Sequence, residues 1–167
     1  VVFLLPPGLV AVTVLQNILL GAPAPSAAQL GRWPTLLPTF VFILLFVGLG
    51  EEPGWRGFAL PRLQRTRSAL AASLIVGAFH VLWHLPLFGV EYNLQNGVPW
   101  ALVTLAGAVI RTWVFNNAAG SALMAMLFHA VLNTVAGSFF FPMFTGADLL
   151  RLWWLNALIW WIVAIAV

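Results

Sequence analysis

The sequence has no cysteine, no lysine and few charged residues of any kind. Without cysteine the chain can form no disulfide, no thiolate metal site and no cysteine nucleophile. Charged residues make up 7% of the chain, whereas a soluble domain carries about 25%. This shortage excludes an ordinary soluble protein, because the chain could not cover its surface with polar groups. All seven cations are arginines, so the pI of 11.2 reflects a few loop arginines and indicates no nucleic-acid partner.

Hydrophobic residues are abundant instead. They make up 62% of the chain, and the mean hydropathy is +1.01. Strand-type alternation is absent, and six apolar segments approach the ~20 residues that cross a bilayer as a helix. We therefore expect an all-α, polytopic membrane helix bundle with about six transmembrane helices. The segments are Val2–Gly21, Leu36–Gly50 with a continuation to about Leu60, Ser68–Leu85, Val98–Phe115, Ala119–Phe141 and Leu149–Val167.

Loops separate these segments, and the sequence both begins and ends with apolar residues. The clear loops are GAPAPSAAQLGRWP, PRLQRTRS, GVEYNLQNGVP and FPMFTGAD. The chain begins with Val1 and ends inside the apolar run LIWWIVAIAV. We expect a single domain over residues 1–167 that is a fragment or a trimmed core of a longer protein.

The arginines predict an orientation in the membrane. Arg62, Arg65 and Arg67 lie on one turn, and Arg111 lies near the end of a span that returns to the same side. Arginine is enriched in cytoplasmic loops. We therefore expect an integral protein of the plasma (inner) membrane with the Arg62–Arg67 turn in the cytoplasm.

Ionisable residues inside membrane spans are costly and usually face the bundle interior or a water-filled cavity. Those of this chain fall into helical pairs four residues apart, which share a helix face. The pairs are Glu52 with Arg56, His80 with His84, and His129 with Asn133. Glu51 is turned about 100° from Glu52. If Arg56 neutralises Glu52, then Glu51 is the carboxylate left for chemistry.

The depths of these residues in the membrane also match. Glu51 lies as far before the centre of the PRLQRTRS turn as His84 lies after it, roughly 25 Å along each helix. His129 and Asn133 lie about 15 Å and 21 Å into a span that starts from the same side. Pro53 and Gly54 are expected to break or bend the second span. A lone intramembrane histidine or asparagine often only bonds a neighbouring helix, but four matched groups on three spans predict a site.

Three motifs give the chain a family resemblance. EEPGWRG resembles the EExxxR motif of the CPBP family, which comprises CAAX proteases and bacteriocin-processing enzymes and is also called the Abi family. LWHLPLF resembles the family's second motif, FxxxH, and HAVLN resembles its third, HxxxN. The motifs occur in order between Glu51 and Asn133, within a motif-bearing core at residues 36–141.

The resemblance implies an all-α intramembrane endopeptidase that acts on a peptide or protein substrate, either lipidated or membrane-associated. Carried over residue by residue, it implies that Glu51 activates water, that His84, His129 and Asn133 are catalytic, and that Glu52 and Arg56 support Glu51. This chain departs from the family at His80, where the second motif has an aromatic residue. His80 is therefore a further candidate for the site.

Two forms of chemistry remain open from the residues. Glu51 and His84 can polarise water while His129 and Asn133 stabilise the oxyanion. Alternatively, a divalent metal such as zinc can be held by Glu51, His84 and His129, with His80 as a further ligand. Two other protein classes also place glutamate and histidine inside a membrane, namely a proton-relay or transport protein and a non-catalytic immunity or scaffold protein. Transport predicts a continuous polar path, whereas the sequence contains one polar layer.

Overall fold

The protein is described by a computed structural model over residues 1–90 and 93–167. The described residues form helices and turns and contain no β-strand, which confirms the predicted all-α bundle. Five helical stretches are long and apolar enough to cross a membrane, and one shorter apolar helix precedes them. They are α1 (Leu5–Leu19), α2 (Ala27–Leu63), α3 (Ala69–Leu87), α4 (Leu94–Asn117), α5 (Ala122–Met143) and α6 (Gly146–Ala166).

The helix ends differ from the predicted segments where local capping decides them. The predicted loop GAPAPSAAQLGRWP contains the helix Ala27–Leu30 and a 3₁₀ turn at Trp33–Thr35, so α2 begins earlier than expected. A capping box fixes its start. The Ser26 side chain accepts a hydrogen bond from the backbone N–H of Gln29, and the Gln29 side chain accepts one from the backbone N–H of Ser26. The start of α3 is capped in a similar way by Ser68, whose hydroxyl accepts from the backbone N–H of Ala71.

The stretch α2 is irregular along its length. It is α-helical at Leu36–Ile43, Leu49–Glu52 and Leu60–Leu63, and π-helical at Leu44–Gly48 and Pro53–Ala59. The break expected at Pro53 is therefore a widened turn rather than an interruption, and Pro53 keeps helical dihedrals of φ −57 and ψ −38. A wide turn accommodates proline, which cannot donate a backbone hydrogen bond. Single π turns inside helices often mark functional sites.

The stretch α4 forms the centre of the bundle. It packs on α3, α5 and α6, while α2 packs on α5, and α1 packs on both α5 and α6. In the most apolar window of α4, 67% of the residues are buried, against 11% in that of α2, so most of that part of α2 lies on the outside of the bundle. The α3–α4 contact is close at Gly77, where an added Cβ would lie 2.9 Å from the Cβ of Ala108. The three motifs lie on α2, α3 and α5, around this centre.

Candidate active site

The two adjacent glutamates lie on one α-helical turn of α2 between its two π-helical segments. Glu52 is fully buried, and its Oε1 accepts a hydrogen bond from Arg56 Nη1 at 3.1 Å. The same Oε1 accepts from Nδ1 of His129 on α5 at 2.9 Å. Arg56 pairs with Glu52 as the four-residue spacing predicts, and Glu52 additionally joins α2 to α5.

Glu51 faces a different neighbour. Its Oε2 lies 3.5 Å from Nε2 of His80, and the Glu51 side chain is 19% exposed. That buried Oε2 has no hydrogen-bond partner among residues 1–90 and 93–167. The first contact of Glu51 is therefore His80, whereas the sequence favoured His84.

The two histidines of α3 are held as a pair. Their rings are stacked with centroids 4.8 Å apart and planes 6° apart. His84 Nδ1 lies 2.9 Å from the backbone carbonyl of His80. A carbonyl oxygen can only accept, so Nδ1 of His84 carries a proton and the neutral ring is the Nδ1–H tautomer. His129 approaches His80 from α5 at a centroid distance of 5.9 Å.

A cavity of about 550 Å³ lies beside these rings. Three of the four residues predicted to converge line it, namely His84, His129 and Asn133, and His80 lines it as well. Glu51 is not among the described lining residues. It does contact His80, which lines the cavity. The cavity extends to Phe88, Asn93 and Asn96 after α3 and to Phe141 and Pro142 at the end of α5.

Arg111 is the site residue that sequence reasoning misplaced. It was predicted near the end of a span as an orientation signal, but it is 3% exposed and lines the cavity. Its Nε lies 3.9 Å from Glu52 Oε1. The available signal was its position inside AGAVIRTWVF, because an ionisable residue within an apolar run normally faces the bundle interior.

A metal-type donor set exists, with a membership that differs from the predicted one. One donor atom from each of Glu51, His80 and His84 lies within 4.8 Å of the others. His129 does not belong to this set in the described part of the chain, and its Nδ1 donates to Glu52.

Comparisons with known proteins agree with the motifs. The family model described as type II CAAX prenyl endopeptidase Rce1-like matches residues 33–135, a range that includes every predicted site residue. CAAX prenyl protease 2 of Methanococcus maripaludis is 33% identical over 144 residues, which cover 80% of this chain and 53% of that protein. The chain thus spans about half the length of this curated relative. These matches confirm the resemblance to CAAX proteases.

Proposed function

We propose, for a chain that belongs to the Rce1-like family of type II CAAX prenyl endopeptidases, that it is an intramembrane endopeptidase in which Glu51 activates water. The observation that carries the proposal is the asymmetry of the two glutamates. Glu52 is occupied by Arg56 and His129, whereas Glu51 Oε2 has no hydrogen-bond partner in the described chain and lies against His80. A carboxylate in that position can hold a water and take its proton.

The reaction begins with water bound to Glu51 beside His84. Glu51 takes a proton from the water as the oxygen attacks the carbonyl carbon of the scissile peptide bond. The electron pair of the C=O bond moves to the oxygen and forms an oxyanion. The C–N bond then breaks, the proton passes from Glu51 to the leaving amine, and the products are a carboxylic acid and an amine. The neutral ring of His84, which lines the cavity, can accept a hydrogen bond from the second O–H of the water, which stays on the attacking oxygen.

Asn133 and His129 stabilise the oxyanion in this scheme. The Asn133 side chain carries two amide N–H donors and lines the cavity. His129 already donates from Nδ1 to Glu52, so its Nε2 becomes a donor only when the ring is a positively charged imidazolium. Glu52 Oε1 accepts the Nδ1 proton of His129 and thereby fixes the orientation of the His129 ring. Glu52 and Arg56 therefore act through His129, and Glu51 acts on the water.

A metal-assisted form is the second candidate, and the donor set of Glu51, His80 and His84 favours it. Zinc sites with three protein ligands from histidine and carboxylate keep a fourth position for water, which the metal activates. The chemistry of this donor set fits zinc. The two forms differ at His80, since a purely glutamate-based reaction needs no imidazole there.

The substrate in this proposal is a peptide or protein segment that enters from the membrane, either lipidated or membrane-associated. Transport and scaffold functions are not favoured, because the chain belongs to a peptidase family. The chain is an integral membrane protein, and we further propose the plasma membrane with the Arg62–Arg67 turn in the cytoplasm. The cavity then opens away from that turn, toward the loops that follow α3 and α5.

The test is to incubate the purified protein in detergent with a peptide library in ¹⁸O-labelled water. Hydrolysis predicts products whose new carboxyl group carries one ¹⁸O atom, detected by mass spectrometry. A library that stays intact under all conditions contradicts the proposal. Chelator treatment and His80→Phe then separate the two forms. The glutamate-based form predicts that activity survives both the chelator and His80→Phe. The metal form predicts that each abolishes activity. It also predicts that Co²⁺ added to the parent gives absorption bands that are lost in His80→Phe.

A further inference from the structure

Asn156 of α6 is a buried amide whose hydrogen-bonding capacity is almost unused. It is 1% exposed and lines the cavity. Within the described residues its one hydrogen-bond contact is the Thr13 hydroxyl, which lies 3.4 Å from Asn156 Oδ1. That hydroxyl has a single hydrogen and donates it to the carbonyl of Leu9 at 2.8 Å. The contact with Asn156 is therefore weak, since O–H···O bonds measure about 2.5–3.0 Å.

A second buried asparagine shows how a structural amide is bonded in this protein. Asn17 of α1 is fully buried, and both ends of its amide are bonded to α6. Its Nδ2 donates to the backbone carbonyl of Asp148 at 3.1 Å, and its Oδ1 accepts from Arg151 Nε at 2.8 Å. Asn17 is not among the described residues that line the cavity. Buried polar groups are normally hydrogen-bonded, so the missing partners of Asn156 are expected to come from what fills the cavity.

The walls around Asn156 have the chemistry of a site for a neutral ligand. The cavity-lining residues in the first part of α4 and of α6 carry no charge, and amide, hydroxyl and aromatic side chains dominate them. They are Asn96, Trp100, Val103 and Thr104 of α4 and Leu149, Trp153 and Asn156 of α6. A peptide group is a neutral ligand with one N–H donor and one C=O acceptor. An asparagine amide carries both a donor and an acceptor, so it can bond either side of a peptide group.

We propose that Asn156 is a substrate-binding residue that hydrogen-bonds the main chain of the peptide in the cavity. A main-chain bond does not depend on the side chains of the substrate, so this contact positions a peptide without selecting its sequence. The assignment rests on the proposed peptidase function, because it names how the substrate of that reaction is held.

Helix packing places this contact outward from the reacting groups. Trp160, four residues after Asn156, packs on α4, where a Cβ added at Gly107 would lie 3.5 Å from Trp160 Cζ3. Arg111, which lies beside Glu52, is four residues further along α4. These two steps correspond to a rise of about 12 Å, and an extended residue spans about 3.3–3.6 Å. The peptide group held by Asn156 therefore lies within about four residues of the bond that is cut.

The experiment replaces one backbone amide at a time by an ester in the best-cleaved library peptide. An ester lacks the N–H and its carbonyl is a weaker acceptor, so the change weakens a main-chain hydrogen bond and keeps every side chain. The values of kcat and KM are measured for the parent, Asn156→Ala and Asn17→Ala, with esters at all positions except the cleaved bond. We expect the parent to lose about three- to tenfold in kcat/KM at one position within about four residues of the cleaved bond, the range of one neutral hydrogen bond. Asn156→Ala should raise KM for the all-amide peptide by a similar factor and lose the sensitivity to that ester.

Asn17→Ala is the matched control, because it removes the same side chain at a residue outside the cavity lining. It should lower the melting temperature, since it leaves Arg151 Nε and the carbonyl of Asp148 without this partner, and it should keep the parental ester profile. An Asn156→Ala protein that keeps the parental profile shows that Asn156 bonds only water, which refutes the inference. The same holds for a parent that tolerates every ester, whether or not the variants fold. Loss of the sensitivity in Asn17→Ala as well would assign the effect to α1–α6 packing and not to a contact with the substrate.

Binding provides a readout that does not depend on turnover. Isothermal titration of N-acetyl-alanyl-valyl-leucine amide and its ester analogues should show weaker binding of one ester by the parent and no such difference in Asn156→Ala. A parent that cleaves nothing yet shows this pattern refutes the proposed function and supports main-chain binding by Asn156. Equal binding of all forms by the parent, or no binding, refutes the inference alone.

Discussion

Glu51 and Glu52 are neighbours in sequence but differ in every contact that the structure gives them. One helical step turns Glu52 toward α5, where His129 and two guanidinium groups surround its Oε1. The same step turns Glu51 toward α3 and His80. Glu52 therefore links α2 to His129 of α5, whereas Glu51 faces the histidines of α3.

Glu52→Gln should destabilise the protein. The substitution leaves Arg56 and Arg111 without their shared carboxylate, and breaking a buried ion pair from one side typically costs about 3–5 kcal/mol. Thermal melting in detergent measures the loss. Glu51→Gln is the matched control, because Glu51 is partly exposed and pairs with no guanidinium within the described chain, and it should melt like the parent. Equal melting of the two variants would show that Glu52 does not hold the bundle together.

Glu52→Gln should also lower the activity of the protein that remains folded. The structure adds this expectation, because Glu52 accepts the Nδ1 proton of His129. The spacing of Glu52 and Arg56 alone predicts only a loss of stability. Specific activity per folded molecule separates the two effects, and an unchanged value would remove Glu52 from the support of His129.

Asn133→Ala should reduce kcat by about a hundredfold with little change in KM, since removing one oxyanion donor typically costs that much. Steady-state kinetics on the best library peptide measure both constants. The matched control is Asn117→Ala at the exposed end of α4, where the amide donates to the carbonyl of Trp113 and, within the described residues, makes no other hydrogen bond. A rise in KM with kcat intact would make Asn133 a substrate-binding residue rather than an oxyanion donor.

Local spacing predicted part of this site and could not predict the rest. The Glu52–Arg56 pair and the stacked His80–His84 pair follow from four-residue helical spacing. The Glu52–His129 bond joins residues 77 positions apart, and helical spacing says which residues share a face without saying which helices face each other. The position of Arg111 inside an apolar run signals burial, but only the packing of α4 against its neighbours shows that Arg111 lies beside Glu52.

At the level of the helices, two of the three motif-bearing stretches carry π-helical turns beside their motif residues. In α2 the turn Pro53–Ala59 directly follows Glu52, and in α5 the turn Asn133–Phe140 begins at the motif asparagine. The proline of EEPGWRG explains the first wide turn, because it removes a backbone donor. The second has no such residue at its start, and the sequence carried no signal for it.

The close α3–α4 contact gives a prediction about packing. Gly77→Val should lower stability by about 1–3 kcal/mol, the usual cost of overpacking, because even a Cβ at this position would lie 2.9 Å from Ala108. Thermal melting measures the change. Gly8→Ala in α1 is the control, since a Cβ there meets nothing within 4 Å. If Gly77→Val melts like the parent, the two helices do not pack as closely as described.

For the whole molecule, composition and the lengths of apolar runs predicted the helical bundle but not its centre. All six segments are apolar, so hydropathy cannot distinguish α4, whose apolar window is mostly buried, from α2, whose apolar window lies mostly on the outside of the bundle. The depth match of Glu51 with His84 predicted their common layer, and the structure places both in one donor set. It could not predict that His80 lies between Glu51 and the cavity.

The orientation of the whole molecule is testable because the chain has no cysteine and single-cysteine variants are therefore unambiguous. Thr66→Cys lies in the Arg62–Arg67 turn and Ala24→Cys in the loop before α2, and both native positions are exposed. In intact cells, a membrane-impermeant maleimide should label Ala24→Cys only, and Thr66→Cys should react only after the membrane is opened. The reverse pattern would invert the orientation inferred from the arginines.

The central claim is that Glu51 activates the water that cleaves the peptide, and Glu51→Gln tests it most directly. Glutamine has nearly the same shape but cannot accept the proton. The control is Asp148→Asn, which makes the same carboxylate-to-amide change. Asp148 forms an ion pair with Arg151 and does not line the cavity. Peptide cleavage by equal amounts of folded protein is followed by mass spectrometry. The account predicts no cleavage by Glu51→Gln and normal cleavage by Asp148→Asn, and a Glu51→Gln protein that cleaves at the parental rate would contradict it.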